Sequence, residues 1–183
     1  MTIDWTNTKS HYGRLSLSLH WLMLILIVAT YATMDLKSMY PRGSAGRDAL
    51  AFWHFSLGLT VLCLVWVRIV ARSVGDTPVI VPAMPKMQAL AAKLVHLALY
   101  GLMIGLPLLG WLALSARGKP VPFYGLQLPA LMEQNKENFS LFKTIHESLA
   151  TAGYFLIGVH AAAALFHHYV KRDNTLKLMS PFR

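Results

Sequence analysis

The chain has 183 residues, of which 55% are hydrophobic and 14% are charged, with a formal net charge of +9 and a mean hydropathy of +0.46. Typical soluble domains carry roughly 25% charged residues, so this composition excludes an ordinary soluble protein and indicates a membrane protein with one domain, 1–183. In so apolar a chain, the positive excess indicates loops that face anionic lipid rather than nucleic-acid binding.

Four apolar runs are each long enough to cross a membrane, which needs about 20 residues of helix. In chain order they cover about 15–34, 49–71, 90–116 and 145–170. Loops that contain proline or glycine separate them, and the longest connection, 117–144, contains three prolines. The polar N-terminus lacks an apolar core followed by a cleavage site, so we expect the first run to stay in the membrane. The sequence therefore predicts an all-α membrane protein, a four-transmembrane-helix bundle in a lipid bilayer.

Charge asymmetry predicts the orientation of the four spans, because basic residues concentrate on the cytoplasmic side of membrane proteins. The two termini and the connection between the second and third spans, counted with the adjoining ends of those spans, hold ten Lys and Arg against three acids. The other two connections, counted with the adjoining ends of their spans, hold seven against five. Both termini are therefore predicted to be cytoplasmic.

Four histidines lie within or at the edge of these apolar runs, where an ionisable side chain is costly and indicates a functional site. His20 lies five residues inside the first run, and His54 lies five residues inside the second, which crosses in the opposite direction. His160 follows His146 by fourteen residues. That is about 21 Å and nearly four turns of helix, so the two side chains point to nearly the same side. Depth therefore pairs His54 with His146 near the outer face, and His20 with His160 towards the inner face.

Each pair supplies two imidazoles, and histidine is the commonest metal ligand. Two imidazoles alone make a poor zinc site, which normally needs four ligands, but they complete the axial positions of a haem iron. Gly58 lies one turn after His54, and Gly153 lies midway between His146 and His160, so a flat ring has room beside the backbone. Covalent attachment is not expected, because the chain has one cysteine and no Cys-x-x-Cys-His motif. The pattern predicts two non-covalently bound haems.

Other residues near the pairs are secondary candidates. Cations near the span ends are candidates for contacts to haem propionates, or else they extend to the interface. They are Arg14, Arg68, Arg72 and Lys143. His96 lies in the third run at the inner depth without a partner, and we expect it to support a ligand or handle protons rather than bind iron. His167 and His168 are expected to be interfacial, with one of them an alternative to His160.

Several stretches of the sequence resemble the bacterial cytochrome b561 family. The first stretch runs from Gly13 to His20-Trp21, and Tyr40-Pro41-Arg42 and Trp53-His54 follow it. The remaining stretches begin at His146, at Gly158 and at Lys171, and read HESLATAGY, GVHAAAALFHHY and KRDNTL. The resemblance runs from about residue 12 to residue 179.

This resemblance implies a bacterial inner-membrane protein with two b haems, each held by two of the four histidines. It also implies electron exchange with ubiquinone. The nearest similarity is to the stand-alone branch of the family, which implies superoxide as the one-electron donor and an oxidoreductase activity. Basic residues on the outer side would then steer that anion, and they are Arg42, Lys119 and Lys143. An inner quinone slot would be lined by His96, Trp21 or the pair His167 and His168.

Three alternatives stay open from the sequence. The first is an anchor subunit that passes electrons to a separate dehydrogenase or hydrogenase. The second is a metal or proton transporter that uses the histidines, and the third is a purely structural membrane bundle. The sequence assigns no catalytic residue and indicates no particular oligomeric state.

Overall fold

The computed structural model describes residues 5–180 and is mostly helical. Its elements in chain order are α1 (Arg14–Lys37), α2 (Ala45–Ser73), α3 (Lys86–Ala116), β1 (Val121–Phe123), β2 (Leu126–Leu128), α4 (Lys136–Phe166), a π-helical segment (His167–Lys171) and α5 (Thr175–Leu178). Within the described residues, four helices are long and apolar enough to cross a membrane: α1, α2, α3 and α4 with the π-helical segment. This confirms the predicted all-α membrane class.

The helices are longer than the apolar runs that predicted them. The largest difference is at α4, which begins at Lys136 rather than near residue 145. The Asn135 side chain accepts a hydrogen bond from the Asn138 amide at 2.9 Å and so caps the new N-terminus. Hydropathy reports only the part of a helix that is apolar, whereas backbone hydrogen bonding continues through polar turns beyond it.

The connection before α4 contains a β-hairpin that the sequence did not predict. Strands β1 and β2 pair antiparallel, with Phe123 opposite Leu126. Tyr124 and Gly125 form the turn at φ values of +47° and +89°, as a two-residue type I′ turn requires. This backbone conformation strains a tyrosine, but the Tyr124 hydroxyl lies 3.0 Å from the Thr60 hydroxyl and ties the hairpin to α2.

The described chain divides into two compact units, and each of the four long helices contributes to both. One unit, here called the terminal unit, comprises Met1–Leu22, Trp66–Gly101 and Ala152–Arg183. The other, here called the hairpin unit, comprises Met23–Val65 and Leu102–Thr151. Because the helices run from one unit into the other, the single domain expected from the chain length stays our proposal.

In the hairpin unit a small apolar core joins the hairpin to two helices. Leu59 of α2, Leu114 of α3 and Val121 of β1 form a buried cluster. Burial of such side chains contributes roughly 1.5–3 kcal/mol each relative to exposure in water. The hairpin is therefore fixed to the helices by packing as well as by the Tyr124 hydroxyl.

In the terminal unit, polar contacts hold the chain ends. The buried Asn7 accepts a hydrogen bond from the Gly13 amide at 3.0 Å and donates to the Ala71 carbonyl at 3.2 Å. Near the C-terminus, Asn174 accepts from the Val81 amide at 2.8 Å and donates to the Val79 carbonyl at 3.1 Å. These side chains tie the N-terminal segment to α2 and the C-terminal segment to the loop before α3.

Candidate functional site

The hairpin unit brings together the two histidines that depth assigned to the outer face. The ring centres of His54 on α2 and His146 on α4 lie 6.1 Å apart, with the ring planes at 72°. Both residues are partly buried. Helix α2 presents His54 towards α1, and α4 presents His146 towards α3, since each ring contacts a carbonyl of that neighbouring helix.

Backbone carbonyls fix both rings of the hairpin unit. His54 Nδ1 donates to the Thr30 carbonyl at 3.0 Å, and His146 Nδ1 donates to the Leu106 carbonyl at 2.9 Å. A carbonyl can only accept, so the ring hydrogen is on Nδ1 and the Nε2 lone pair is left for a metal. Metal-binding histidines usually have such a partner, which sets the tautomer and orients the ring.

Sequence features of the two partner helices place these carbonyls. Thr33 also donates to the Thr30 carbonyl, at 2.6 Å, so this oxygen accepts two side-chain bonds. Pro107, next to Leu106, lacks an amide hydrogen, so the helical bond that it removes is the one to the Met103 carbonyl. The Leu106 carbonyl accepts from His146 on the same stretch of α3.

The terminal unit brings together the other predicted pair and a third histidine. The ring centres of His20 on α1 and His160 on α4 lie 6.4 Å apart, with the planes at 71°. His96 on α3 lies closer, at 5.3 Å from His160, in an edge-to-face contact. Arg68 on α2 places Nη2 at 3.1 Å from His20 Nδ1. This cluster therefore has a cation where the hairpin unit has carbonyl oxygens.

The ring spacing tests whether two axial imidazoles fit. With about 2.0–2.1 Å from a metal to each nitrogen, and about 1.1 Å from that nitrogen to the ring centre, two opposed rings have centres about 6.3 Å apart. The spacings between His54 and His146 and between His20 and His160 match this value, whereas His96 lies too close to His160. The spacing in each unit therefore fits two axial imidazoles, and in the hairpin unit the bonds on Nδ1 also leave both Nε2 lone pairs free, whereas Arg68 can only donate to His20 Nδ1.

Each histidine pair supplies two ligands, fewer than the four that a zinc ion bound by protein side chains normally has. Within residues 5–180, no group of three or more His, Cys, Asp or Glu side chains is arranged to hold a metal ion. A porphyrin supplies four nitrogen ligands, so two histidines suffice for its iron. Open space is also present, since a Cβ built on Gly58 would have nothing within 4 Å. Gly153, by contrast, is buried.

The predicted propionate contacts have different surroundings. Arg14 and Arg72 are exposed, and Lys143 pairs with Glu147 at 2.8 Å on the surface of α4. Arg68 is partly buried and is the arginine in contact with a histidine of the cluster. A role for Arg14, Arg72 or Lys143 towards a propionate stays a prediction.

The sequence reasoning missed a buried acid at the end of α4. Asp173 is 4% exposed and accepts hydrogen bonds from His167 Nδ1 and from the Thr175 amide. Burial alone would raise the pKa of Asp173, but the bonds from His167 and Thr175 outweigh it and hold the pKa below its usual value. The π-helical turn brings Asp173 back to His167, and the short sequence HHYVKRD gives no periodic signal of this.

Unsatisfied polar atoms also occur in the terminal unit. Among the described residues, Tyr100 Oη and His168 Nδ1 are buried side-chain atoms without a hydrogen-bond partner. Both belong to the terminal unit. Buried polar atoms normally have partners, so these two atoms are candidates for contacts to a bound ligand.

Comparisons with known proteins agree over nearly the whole chain. The family model for prokaryotic cytochrome b561 matches residues 11–182. Cytochrome b561 homolog 1 of Escherichia coli (strain K12) is 38% identical over 174 residues, which cover 95% of this chain and 99% of that protein. The probable superoxide oxidase CybB of Yersinia pestis is 36% identical over 170 residues, covering 93% of this chain and 96% of that protein. Cytochrome b561 homolog 2 of Escherichia coli (strain K12) is 30% identical over 181 residues, covering 97% and 95%.

Proposed function

The chain belongs to the prokaryotic cytochrome b561 family, and on that premise we propose that it transfers electrons from superoxide to the ubiquinone pool. Family membership makes it a multi-pass bacterial membrane protein and a b-type cytochrome of electron transfer. The number of haems, the donor and the acceptor belong to the proposal. The observation that carries it is the pair of histidine contacts at axial-ligand spacing.

We assign two haems to the chain, one in each unit. His54 and His146 would hold the first, and His20 and His160 would hold the second. A haem held by two histidines would supply one-electron transfer rather than oxygen binding. The Thr30 and Leu106 carbonyls orient the imidazoles of the hairpin unit for this role.

Superoxide is the donor that we propose for the hairpin unit. One relative is named a probable superoxide oxidase, and the cations Arg42 and Lys119 lie in loops of this unit. Basic loops attract a small anion and raise its encounter rate. Each superoxide gives one electron and leaves as dioxygen, so two are needed for each ubiquinone that takes up two electrons and two protons.

Ubiquinone is the acceptor that we propose for the terminal unit. A quinone head group presents two carbonyl oxygens, and Tyr100 Oη is a buried donor without a partner there. Trp21, His96 and His168, which the sequence analysis named as residues that would line a quinone slot, belong to the same unit. His167 is oriented by Asp173, so its Nε2 is available for proton exchange.

The proposed orientation places both termini in the cytoplasm of the bacterial inner membrane. The terminal unit holds ten Lys and Arg against three acids, a net charge of +7. The hairpin unit holds seven against five, a net charge of +2. By the positive-inside rule the terminal unit faces the cytoplasm, which also brings protons for ubiquinone from that side.

A haem assay followed by a superoxide assay tests the proposal. The purified chain should show b-type bands in a reduced-minus-oxidised spectrum and contain two haems per polypeptide. Superoxide generated enzymatically should then reduce a short-chain ubiquinone only when the protein is present, and superoxide dismutase should abolish the reaction. Absence of b-type bands would point to the transporter or structural alternatives. Reduction by a co-purifying dehydrogenase, with no response to superoxide, would point to the anchor-subunit alternative.

A matched variant separates the proposed route from non-specific reduction. His54→Ala should remove the haem that meets superoxide and stop ubiquinone reduction. Cys63→Ala changes an exposed residue of the same helix and should leave the rate unchanged. Equal rates for the His54→Ala and wild-type proteins would contradict the route through the hairpin unit.

A further inference from the structure

A histidine and a buried acid form a pair just after α4, in the terminal unit. His167 Nδ1 donates a hydrogen bond to one carboxylate oxygen of Asp173, and the Thr175 amide donates to the other oxygen at 2.9 Å. The side chains of His167 and Asp173 are 13% and 4% exposed. Since an ionised carboxylate can only accept, Asp173 keeps a hydrogen on Nδ1, and Nε2 is the nitrogen of His167 that gains and loses a proton.

The backbone after α4 brings this acid to the histidine. The chain turns back at Arg172, which has a φ of +57°, and the Asp173 amide donates to the His167 carbonyl at 3.2 Å. This left-handed conformation is uncommon for a residue with a side chain. Backbone strain persists only where the surrounding contacts hold it, and it is frequent at functional sites. The segment therefore holds Asp173 against His167 through the backbone as well as through the side chains.

The pair follows the side of α4 that carries His160. His167 comes seven residues after His160, which is nearly two turns of helix and about 10 Å along its axis. On α3, the unpaired Tyr100 hydroxyl follows His96 by about one turn, and the His96 ring contacts His160. His167 and Tyr100 therefore lie on the helix faces that carry the terminal-unit histidines, in the unit where we place ubiquinone.

We propose that His167 supplies the protons for ubiquinone reduction in the terminal unit, with Asp173 as the residue that positions it. This inference rests on the proposed function, because it needs ubiquinone in this unit. The Nε2–H bond of protonated His167 breaks, a quinone oxygen takes the proton, and the neutral ring takes another from water on the cytoplasmic side. Asp173 keeps its hydrogen bond in both ring forms and balances the charge of the protonated one. Two such transfers, with two electrons from two superoxide ions, convert one ubiquinone into ubiquinol.

Reoxidation of the pre-reduced, haem-loaded protein tests this role, because two oxidants differ in their need for protons. A short-chain ubiquinone takes up protons with its electrons, whereas ferricyanide takes up electrons alone. In stopped-flow mixing followed by haem absorption, His167→Gln should be about tenfold slower than the wild type, or more, with the ubiquinone, and within about twofold of it with ferricyanide. Asp173→Asn should be about threefold slower with the ubiquinone, because the amide oxygen still accepts from Nδ1.

Two matched controls come from the same unit. Asp76→Asn removes an exposed acid, and His11→Gln removes a histidine outside the spans. Both should react with the short-chain ubiquinone as the wild type does. Equal slowing of His167→Gln with both oxidants would overturn the inference, and so would an unchanged rate with the ubiquinone. A wild type that ferricyanide oxidises and the ubiquinone does not would instead overturn the proposed function.

A second variant separates proton transfer from a structural role. His167→Gly leaves space for free imidazole, which should raise the rate of this variant with the short-chain ubiquinone about fivefold and leave the wild type unchanged. The haem content should equal that of the wild type, because His167 is not one of the proposed iron ligands. Loss of a haem would make His167 a ligand, and no gain from imidazole would assign it to the shape of the site. Either result would contradict the proton-transfer role.

Discussion

The two units present their histidines with opposite kinds of support. In the hairpin unit, the Thr30 and Leu106 carbonyls hold His54 and His146, and no buried side-chain atom among the described residues lacks a partner. In the terminal unit, a guanidinium faces His20, and the buried Tyr100 Oη and His168 Nδ1 lack partners. On the proposed function, the hairpin unit would need nothing beyond its two histidines to hold a haem, whereas the terminal unit would offer these polar atoms to ubiquinone. Two similar histidine pairs would then serve different tasks because their surroundings differ.

The largest expected effect comes from removing one histidine in each unit. His54→Ala should lower the haem content from two to one per chain, and His20→Ala should remove the other haem, because each proposed iron then lacks an axial ligand. Haem content measured against protein concentration checks both. His11→Gln, outside the spans, is the control. Equal loss of both haems from either variant would mean that the units do not load independently.

Filling the open space beside His54 should weaken only the hairpin unit. Gly58→Leu places a side chain where nothing lies within 4 Å, so we expect about a tenfold loss of haem affinity there, roughly 1.4 kcal/mol. Titration of the apoprotein with haem measures it. Cys63→Leu adds similar bulk at an exposed position of α2 and should bind as the wild type does. Unchanged affinity in Gly58→Leu would place the haem elsewhere.

Acid should weaken the terminal unit through Asp173. Because its folded pKa lies below the ordinary value of 3.8, Asp173 stabilises the fold above that pH, and the contribution is lost as pH falls through the lower folded value. Asp173→Asn should therefore cost roughly 1.5 kcal/mol at pH 7, and this cost should begin to shrink only as the pH falls below 3.8 towards the folded pKa. Thermal unfolding over a pH series measures the difference. A difference that does not shrink anywhere below pH 3.8 would assign it to packing.

The smallest expected effect is at His96. His96→Ala should leave two haems bound, since its ring lies 5.3 Å from His160 and is too close to share an iron with it. A small band shift is expected because the edge contact with His160 is lost. Haem content and the spectrum are measured together. Loss of one haem would make His96 a ligand and would remove His20 from the proposed pair.

Much of this arrangement could be predicted from the sequence. Apolar runs gave the four spans, and counting residues from the ends of those runs indicated which histidines lie at similar depths. Rings at similar depth do lie about 6 Å apart in each unit, while iron binding by them stays a prediction. The extension of α4 to Lys136 was missed although Asn135 is a recognisable cap.

Other features carry little or no sequence signal. The acceptors for His54 and His146 are backbone oxygens. Every residue has such an oxygen, so the residue types in the sequence do not indicate which positions accept these bonds. The β-hairpin was missed because Tyr124 occupies a turn position that usually takes Asn, Asp or Gly. The contact of Arg68 with His20 depends on the packing of α1 against α2, which periodicity alone does not specify.

The carbonyl partners in the hairpin unit have a consequence for mutation. A substitution at Thr30 or Leu106 exchanges the side chain but keeps the backbone oxygen that the imidazole needs. In the terminal unit, a single codon change at Arg68 removes the charged partner altogether. Substitutions in the hairpin unit therefore tend to keep the acceptors of His54 and His146. In the terminal unit, one substitution changes the charge beside His20, so this unit can be adapted by mutation to a different electron acceptor.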